Sequence, residues 1–306
     1  MVGIAGSGKS TFIQENKSEN DVVISSDAIR IEKGYAPNEV KDVFAIMLKR
    51  TCKALETNHN VWYDATNLNA KRRRNLIKQI KQKFKNEVYF QCYVIAPPVN
   101  IIRKQNKQRE AVVPDKVIDN MLQAFQIPIY QEGWDYIEFD VEEDSSKYEP
   151  MFKPFDMIGF DQHNSHHSLT LAEHCKTCKI KLRNMIKIQD IAANYKLYLL
   201  LRAAEYHDIG KLYTQTYYDK NGNKSEDAHY YGHDSVGAYI YLSEQMAIDG
   251  ADKAYFIATL INYHMRPYFA HWEDINSKAR QRDFEFFGKE LFNYLSLLNQ
   301  ADRKAK

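Results

Sequence analysis

The sequence has few cysteines for its 306 residues, and it lacks a long apolar run. Its four cysteines are Cys52, Cys92, Cys175 and Cys178. Because the sequence shows no signal-peptide pattern, we expect these thiols to be reduced and the protein to be cytoplasmic. Cys175 and Cys178 form an isolated C-x-x-C pair, because no second pair stands at the spacing that a structural zinc site requires. No segment approaches the roughly 20 apolar residues of a membrane-spanning helix, so no membrane partner is expected.

The sequence also lacks a strong net charge, since 42 Lys and Arg residues face 40 Asp and Glu residues for a formal charge of +2. This balance neither indicates nor excludes a polyanionic partner, because a local basic surface can be offset by acidic residues elsewhere. The densest basic segment is Lys71–Arg74, followed by Lys78, Lys81, Lys83 and Lys85. It indicates either a phosphate-binding face or the solvated side of a helix.

Length and hydrophobic periodicity indicate two domains, since single domains usually have about 100–200 residues. Up to about residue 140, strand-like runs at 22–24, 61–63 and 88–95 alternate with helical patterns, as in a parallel α/β sheet. Beyond residue 155, helical periodicity dominates at 169–185, 191–206, 235–246, 251–263 and 284–298. We therefore predict an α/β domain over 1–141, a linker over 142–155 and an all-α domain over 156–306.

The first motif, residues 3–10, matches G-x-x-x-x-G-K-[ST], a loop whose backbone amides wrap phosphates at the N-terminus of a helix. We expect Lys9 to reach the β- and γ-phosphates of ATP or another NTP, and the Ser10 hydroxyl to ligate Mg²⁺. The predicted nucleotide-binding residues are Gly3, Gly6, Ser7, Gly8, Lys9, Ser10 and Thr11. Only two residues precede Gly3, which indicates either a short first strand or a start at an internal methionine.

A second polar motif, residues 25–30, follows the predicted strand at 22–24 and faces the phosphate edge of the sheet. The Asp27 carboxylate is suited to accept the proton of an attacking hydroxyl, and Arg30, on the same helix face, is suited to grip a substrate phosphate. The alternative is that Asp27 caps a helix and that Arg30 is a surface residue.

Further motifs follow the next predicted strands. Asp64-Ala65-Thr66-Asn67-Leu68-Asn69 leads to Arg72-Arg73, and a basic segment from Arg103 to Arg109 precedes Val113-Pro114. With the phosphate loop and S-D-x-x-R, these motifs resemble the 5′-hydroxyl polynucleotide kinases over nearly all of the first domain.

This resemblance implies roles for individual residues. Asp27 would be the general base, and Arg30 and Asp64 would bind the acceptor end. The basic segment from Arg103 to Arg109 would form a lid. One of its arginines would contact the donor phosphates, with Arg109 preferred over Arg103.

The helical half carries ligand-type residues in the order H…HD…H…H…D, namely His174, His207, Asp208, His233, His264 and Asp302. Imidazole and carboxylate ligands suit Mn, Fe, Ni, Co, Zn or Mg. Adjacent residues on a helix lie about 100° apart, so His207 and Asp208 can both lean towards one ion. The pattern predicts a divalent metal site in this domain.

Two short sequences surround the predicted ligands, AEYHDIGK at 204–211 and GHDSVGA at 232–238, and His167 precedes His174 by seven residues. They resemble the HD phosphohydrolase superfamily over essentially the whole second domain. The resemblance implies a first metal on His174, His207, Asp208 and Asp302. His233 and His264 then either complete a second metal site bridged by Asp208 or bind substrate phosphate. A bound ion lowers the pKa of its water, and Lys211 and Arg266 are placed to screen phosphate charge.

The pair of domains resembles bifunctional enzymes of RNA end healing. That resemblance implies ATP-dependent phosphorylation of 5′-OH ends and metal-dependent hydrolysis of 2′,3′-cyclic phosphate or 3′-phosphate ends, with RNA preferred over DNA. It leaves open whether a separate ligase associates. One alternative is a small-molecule or nucleotide kinase fused to a nucleotide phosphohydrolase, which the basic segment disfavours. Another is a nucleotide-sensing interaction protein, which would not need Asp27 with Arg30.

Overall fold

The computed structural model describes residues 1–36, 39, 42–85, 87–164, 168–186 and 194–305. Its chain forms two compact units. The first comprises Met1–Pro97, Ile101–Ile118 and Pro128–Asp140, and the second comprises Pro98–Asn100, Asp119–Ile127 and Val141–Lys306. The segment predicted as a linker belongs to the second unit, where the amides of Met151 and Phe152 donate to the buried Glu244 carboxylate at 2.8–3.0 Å.

Helices and strands alternate in the first part of the chain. The helices are α1 (Lys9–Asn16), α2 (Ser26–Lys33), α3 (Val43–Glu56), α4 (Ala70–Lys83), α5 (Val99–Lys107) and α6 (Asp115–Gln123), with a 3₁₀ turn at Tyr130–Glu132. The strands are β1 (Val22–Ser25), β2 (Val61–Asp64), β3 (Gln91–Ile95) and β4 (Tyr136–Asp140), of which β4 was not predicted.

The sheet of the first unit is parallel, as predicted, with β1 paired to β2 and β3 paired to β4. The segment before the phosphate loop lies between these pairs. The Gly3 amide donates to the Thr66 carbonyl at 3.1 Å on one side, and Val2 exchanges 2.8 Å hydrogen bonds with Tyr93 and Ile95 on the other. The carboxyl ends of the strands therefore meet at one edge, which also carries the phosphate loop.

The second unit is largely helical, as predicted. Its helices are α7 (Leu171–Met185), α8 (Tyr195–Tyr206), α9 (Lys211–Thr214), α10 (His233–Asp249), α11 (Ala251–Tyr263), α12 (Arg266–Phe269) and α13 (Lys278–Arg303), with 3₁₀ turns at Ser145–Lys147 and Pro154–Met157. Tyr239 and Tyr241 of α10 are buried in its core, where a large side chain contributes about 1.5–3 kcal/mol. No helix in the described part of the chain is both long and apolar enough to cross a membrane.

An antiparallel hairpin corrects the prediction of an all-α second domain. Strands β5 (Gln215–Tyr218) and β6 (Lys224–Tyr230) pair within this unit. The Asp219 carboxylate closes their turn by accepting the amides of Asn221 and Asn223 at 2.8 Å, and Gly222 adopts φ 85°. Tyr217 and Tyr218 before an Asn-Gly pair are a hairpin signal that the helical interpretation missed.

Candidate active sites

The phosphate loop wraps the start of α1. Gly8 precedes the helix with φ 95°, a conformation that side chains disfavour, and leaves the first amides of α1 directed at the loop. Lys9 is buried and its ammonium donates to the Ile4 carbonyl at 2.9 Å. Burial lowers the pKa of Lys9 to about 8, while Asp64 opposes and Arg109 reinforces that shift.

Asp64 lies at the end of β2 against the predicted Mg²⁺ ligand. The Ser10 hydroxyl donates to Asp64 Oδ2 at 3.3 Å, and the Asp64 side chain is buried. In P-loop enzymes Mg²⁺ is held by the loop Ser or Thr together with an aspartate of a neighbouring strand. The geometry therefore fits Asp64 to the metal side of the site, whereas the resemblance implied the acceptor end.

Asp27 and Arg30 form an ion pair on α2. Arg30 Nη1 donates to Asp27 Oδ1 at 2.7 Å, and Arg30 Nε donates to the Glu39 carbonyl at 3.0 Å. The Asp27 side chain is 70% exposed and that of Arg30 only 12%. The helix cap is Ser25, whose hydroxyl accepts the Ala28 amide at 3.4 Å, so Asp27 is not used for capping.

The two lid arginines differ in their partners. Arg103 is bound to Asp115 at 2.9 Å. Arg109 has a buried Nη1 without a hydrogen-bond partner among the described residues, and its charge acts on Lys9. Asn106 holds the base of the lid, because its amide group donates to the Val113 carbonyl at 2.7 Å and accepts the Val113 amide at 3.0 Å. Sequence reasoning missed Asn106.

A buried ion pair supports the loop after β2. Arg73 donates through Nε and Nη2 to the Glu132 carboxylate at 2.6 Å each, and through Nη1 to the Asn67 carbonyl at 2.8 Å. Neither charged side chain is more than 2% exposed. Arg73 thus holds the D-x-T-N segment in place from within the core, a role that the sequence did not reveal.

Several elements bring the predicted metal ligands together in the second unit. Thr170 and Glu173 form a capping box that starts α7 one turn before His174. Gly210 allows the turn after α8 to approach the first turn of α10, since a Cβ at this position would lie 2.6 Å from the Gly237 amide nitrogen. This approach places Asp208 beside His233.

Asp208 is the common partner of four histidines. Its Oδ2 lies 3.4 Å from His174 Nε2 and 3.5 Å from His207 Nε2. Its Oδ1 lies 3.1 Å from His233 Nε2 and 3.5 Å from His264 Nε2.

Asp302 completes the cluster from α13. Its Oδ1 lies 3.1 Å from His174 Nε2 and 3.5 Å from His207 Nε2. Its Oδ2 accepts the hydroxyl of Tyr268 at 2.9 Å, which orients the carboxylate. All six predicted ligands therefore converge.

The four imidazoles share one orientation. In each, Nδ1 donates to a backbone carbonyl at 2.7–3.1 Å, His174 to Ala305, His207 to Ala204, His233 to Tyr230 and His264 to Ile261. A carbonyl only accepts, so Nδ1 carries a proton in each ring, and Nε2 is the nitrogen that faces the cluster. A hydrogen bond from the other ring nitrogen to a carbonyl is typical of histidines that bind a metal.

Two triads within the cluster have ligand atoms within 4.8 Å of one another. They are His174, His207 and Asp302, and His207, Asp208 and His264. His233 belongs to neither triad, and its Nε2 lies 3.3 Å from His264 Nε2. The donor set and geometry fit a divalent metal ion at the first triad. The second triad could hold either a second metal ion or an anion such as phosphate.

Electrostatics favour a cation at this position. Burial by itself lowers the pKa of His174, but Asp208 and Asp302 outweigh it and raise that pKa to about 9. Burial lowers the pKa of His264. The carboxylate field that holds a proton at His174 also favours a metal ion in its place.

Lys211 is placed as predicted beside the cluster, because its ammonium lies 2.7 Å from Asp208 Oδ2. It also donates at 2.8 Å to the side chain of Gln162, a buried residue that sequence reasoning missed. Arg266 is bound to the buried Asp283 at 2.9 Å through a side chain that is 46% exposed.

Among the residues that the structure describes, the remaining histidines and the C-x-x-C pair lie outside the ligand triads. Cys175 and Cys178 are buried free thiols, and Cys175 Sγ approaches His207 Nδ1 at 3.9 Å. His163 and His271 are exposed. His166 and His167 lie outside the described residues.

Two comparisons with known proteins found similarities. A family model described as an AAA domain matches residues 1–128. An L-seryl-tRNA(Sec) kinase of Methanococcus maripaludis is 28% identical over 152 residues, which cover 46% of this chain and 57% of that relative. The match thus spans little more than half the length of the relative. Together with the loop geometry, these similarities show that the N-terminal part of the chain is a P-loop kinase-like domain with a parallel sheet.

Proposed function

We propose that the chain repairs nucleic-acid ends, with RNA preferred, through a 5′-hydroxyl kinase in the first unit and an HD-type phosphohydrolase in the second. The observation that supports the proposal is that one chain carries both a phosphate loop with the buried Lys9 and a buried cluster of histidines and aspartates of the kind that bind divalent ions. The name of the seryl-tRNA kinase relative supports a hydroxyl acceptor attached to RNA.

In the kinase site, Lys9 and the loop amides hold the donor phosphates of ATP, and Ser10 with Asp64 holds Mg²⁺. The 5′-hydroxyl oxygen attacks the γ-phosphorus, ADP leaves, and Asp27 accepts the hydroxyl proton. Arg30 fixes the Asp27 carboxylate and binds the acceptor end. Arg109 stabilises the charge that develops on the transferred phosphoryl group.

In the second site, His174, His207, Asp208 and Asp302 would hold a divalent ion, which supplies a water of lowered pKa when bound. His233 and His264 either hold a second ion or bind the substrate phosphate. Lys211 screens the charge of the phosphate ester, and Gln162 positions its ammonium. One water opens a 2′,3′-cyclic phosphate to a phosphomonoester, and a second water hydrolyses a 3′-phosphomonoester to inorganic phosphate and a 3′-hydroxyl end that a separate ligase can use.

The test is a labelled oligonucleotide that carries a 5′-OH and a 3′-phosphate, incubated with ATP, Mg²⁺ and Mn²⁺. RNA and DNA versions are compared, beside a 2′,3′-cyclic phosphate version. We expect a 5′-phosphate to appear and the 3′ group to be lost, with Lys9→Met removing only the first change and Asp208→Asn only the second. If neither end is modified, the proposal is refuted. If small hydroxyl compounds are phosphorylated faster than the oligonucleotide, the alternative of a small-molecule kinase is favoured.

A further inference from the structure

The basic segment of the first unit has charge of one sign. From Ala70 to Lys85 it contains eight Lys or Arg residues and no Asp or Glu. Most of it forms α4, which begins where the Asn69 side chain accepts the Arg72 amide at 3.1 Å. A run of this kind either binds an anion or is offset by nearby acidic groups, and the structure distinguishes the two cases.

Only part of the charge is offset. Arg73 faces the core with Ile77 and Ile80 and is neutralised by Glu132. Lys83 is bound to Glu56 at 2.6 Å.

Lys71 and Lys78 differ from these residues. Both are exposed, and neither forms an ion pair with any residue that the structure describes. Exposed lysines that lack an acidic neighbour generate a positive surface potential.

Four of these charges lie in one stripe. Lys71, Arg74 and Lys78 are exposed and follow the i, i+3, i+7 spacing of a single helix face. Lys81 continues this face, is half-buried and donates to the Gly133 carbonyl at 2.9 Å. The last three of the four line a groove of about 460 Å³ together with Gly133 and Glu132, whose carboxylate is paired with Arg73. At about 1.5 Å per residue the stripe from Lys71 to Lys81 is about 15 Å long.

The stripe starts at the catalytic edge of the sheet. Five residues lie between Asp64, the partner of Ser10, and the first residue of α4. The N-terminus of α4 adds its own partial positive charge at this end. A strand whose 5′ end enters the kinase site therefore has a basic path leading away from it.

We infer that this α4 stripe, Lys71, Arg74, Lys78 and Lys81, binds the phosphate backbone of the single-stranded nucleic acid that the kinase site phosphorylates. The inference rests on the proposed function. A length of about 15 Å accommodates roughly four phosphates at about 3.4 Å per nucleotide, or fewer in an extended strand. Because the stripe presents ammonium and guanidinium groups to phosphates, it positions the strand without reading its sequence.

The test compares Lys71→Gln/Lys78→Gln with the control Lys17→Gln/Lys49→Gln. The control removes the same charge from two exposed positions of the same unit, Lys17 directly after α1 and Lys49 on α3. The kinase KM is measured for a 5′-OH 20-mer and for a nucleoside 3′-monophosphate. Binding of the labelled 20-mer without ATP is measured by fluorescence anisotropy from 0.05 to 0.5 M salt.

Each single-strand phosphate contact contributes about 0.7 to the slope of log K against log salt, so the α4 variant should lose about 1.4. At 0.1 M salt the same relation gives about 25-fold weaker binding of the 20-mer. The mononucleotide KM should be unchanged, the control should match the wild type, and Lys71→Arg/Lys78→Arg should restore binding.

Three results would overturn the inference: an unchanged salt slope, an equal loss on the mononucleotide, or an equal loss in the control. Stronger competition by polyglutamate than by the 20-mer would assign the stripe to an acidic protein instead. A wild-type protein that binds the 20-mer through this stripe but phosphorylates no nucleic acid would refute the proposed function and leave the binding surface standing.

Discussion

Replacing Arg109 by methionine should stabilise the first unit and at the same time impair the kinase. Arg109 Nη1 is buried without a hydrogen-bond partner among the described residues, and a buried donor of this kind costs about 1–3 kcal/mol. Its charge also lowers the pKa of the buried Lys9, which means that the two cations repel each other. Methionine retains an apolar chain of similar length and removes both penalties. We therefore expect the free energy of unfolding to rise by about 1–3 kcal/mol without nucleotide.

The effect on phosphoryl transfer has the opposite sign. A charge-assisted hydrogen bond contributes about 1.5–3 kcal/mol, which corresponds to about 10–150-fold in rate, and an arginine that stabilises phosphoryl transfer contributes up to 10³-fold or more. The control is Arg103→Met, which breaks a partly exposed ion pair with Asp115 worth about 0–1 kcal/mol. That variant should keep most of the activity.

Urea titrations with and without ATP, and steady-state kinase kinetics, measure both effects. ATP should stabilise Arg109→Met less than the wild type. A destabilised Arg109→Met protein, or an activity loss no larger than that of Arg103→Met, would refute the assignment of Arg109 to the donor phosphates.

Four other predictions concern single residues. Glu132→Gln should lower the free energy of unfolding by about 3–5 kcal/mol in urea titration, because it leaves the Arg73 charge buried and unpaired; a change below about 1 kcal/mol would contradict this. The pKa of Lys9 is about 8 when folded, against 10.5 ordinarily, so the unfolded state binds more protons between these values. Wild type should thus gain up to about 3 kcal/mol over Lys9→Met as pH rises from 8 to 10.5, and a constant difference would argue against the shift. Asp27→Asn should lower kcat about 10²–10⁴-fold with unchanged ATP affinity, whereas normal turnover would remove Asp27 from the mechanism. His264→Ala should reduce the metal count from two to one by elemental analysis if it is a ligand, and raise only KM if it binds phosphate.

The kinase edge shows how far a sequence determines a site. The phosphate loop and Asp27 with Arg30 were predictable, because each is a local motif that directly follows a strand of the sheet. The preference for Arg109 over Arg103 was based on the resemblance alone, and the ion pair of Arg103 with Asp115 was not predictable, since it depends on the tertiary structure. The same holds for Asn106, whose importance arises from its two hydrogen bonds to Val113.

In the second unit, too, some features were predictable from the sequence and others were not. The order of six ligand-type residues indicated a cluster, and they do converge. Which Nε2 faces which carboxylate follows only from the tertiary structure. Gln162 gives no signal in the sequence, because its partner Lys211 is 49 residues away. The hairpin had a local signal in Asn221-Gly222. The prediction of an all-α domain did not use it, because that prediction rested on the helical periodicity of the segments on either side.

Buried polar atoms without a hydrogen-bond partner among the described residues occur in both candidate sites. They include Ser7 Oγ in the phosphate loop, Arg109 Nη1 in the lid and His207 Nε2 in the ligand cluster. Such atoms are rare in folded proteins, since each costs about 1–3 kcal/mol. Under the proposed function, a bound phosphate would accept hydrogen bonds from the first two atoms, and a bound cation would accept the lone pair of the third. Each ligand would therefore stabilise the folded chain by pairing with a buried polar atom that otherwise has no hydrogen-bond partner. Side chains that cost stability in this way are expected at functional sites.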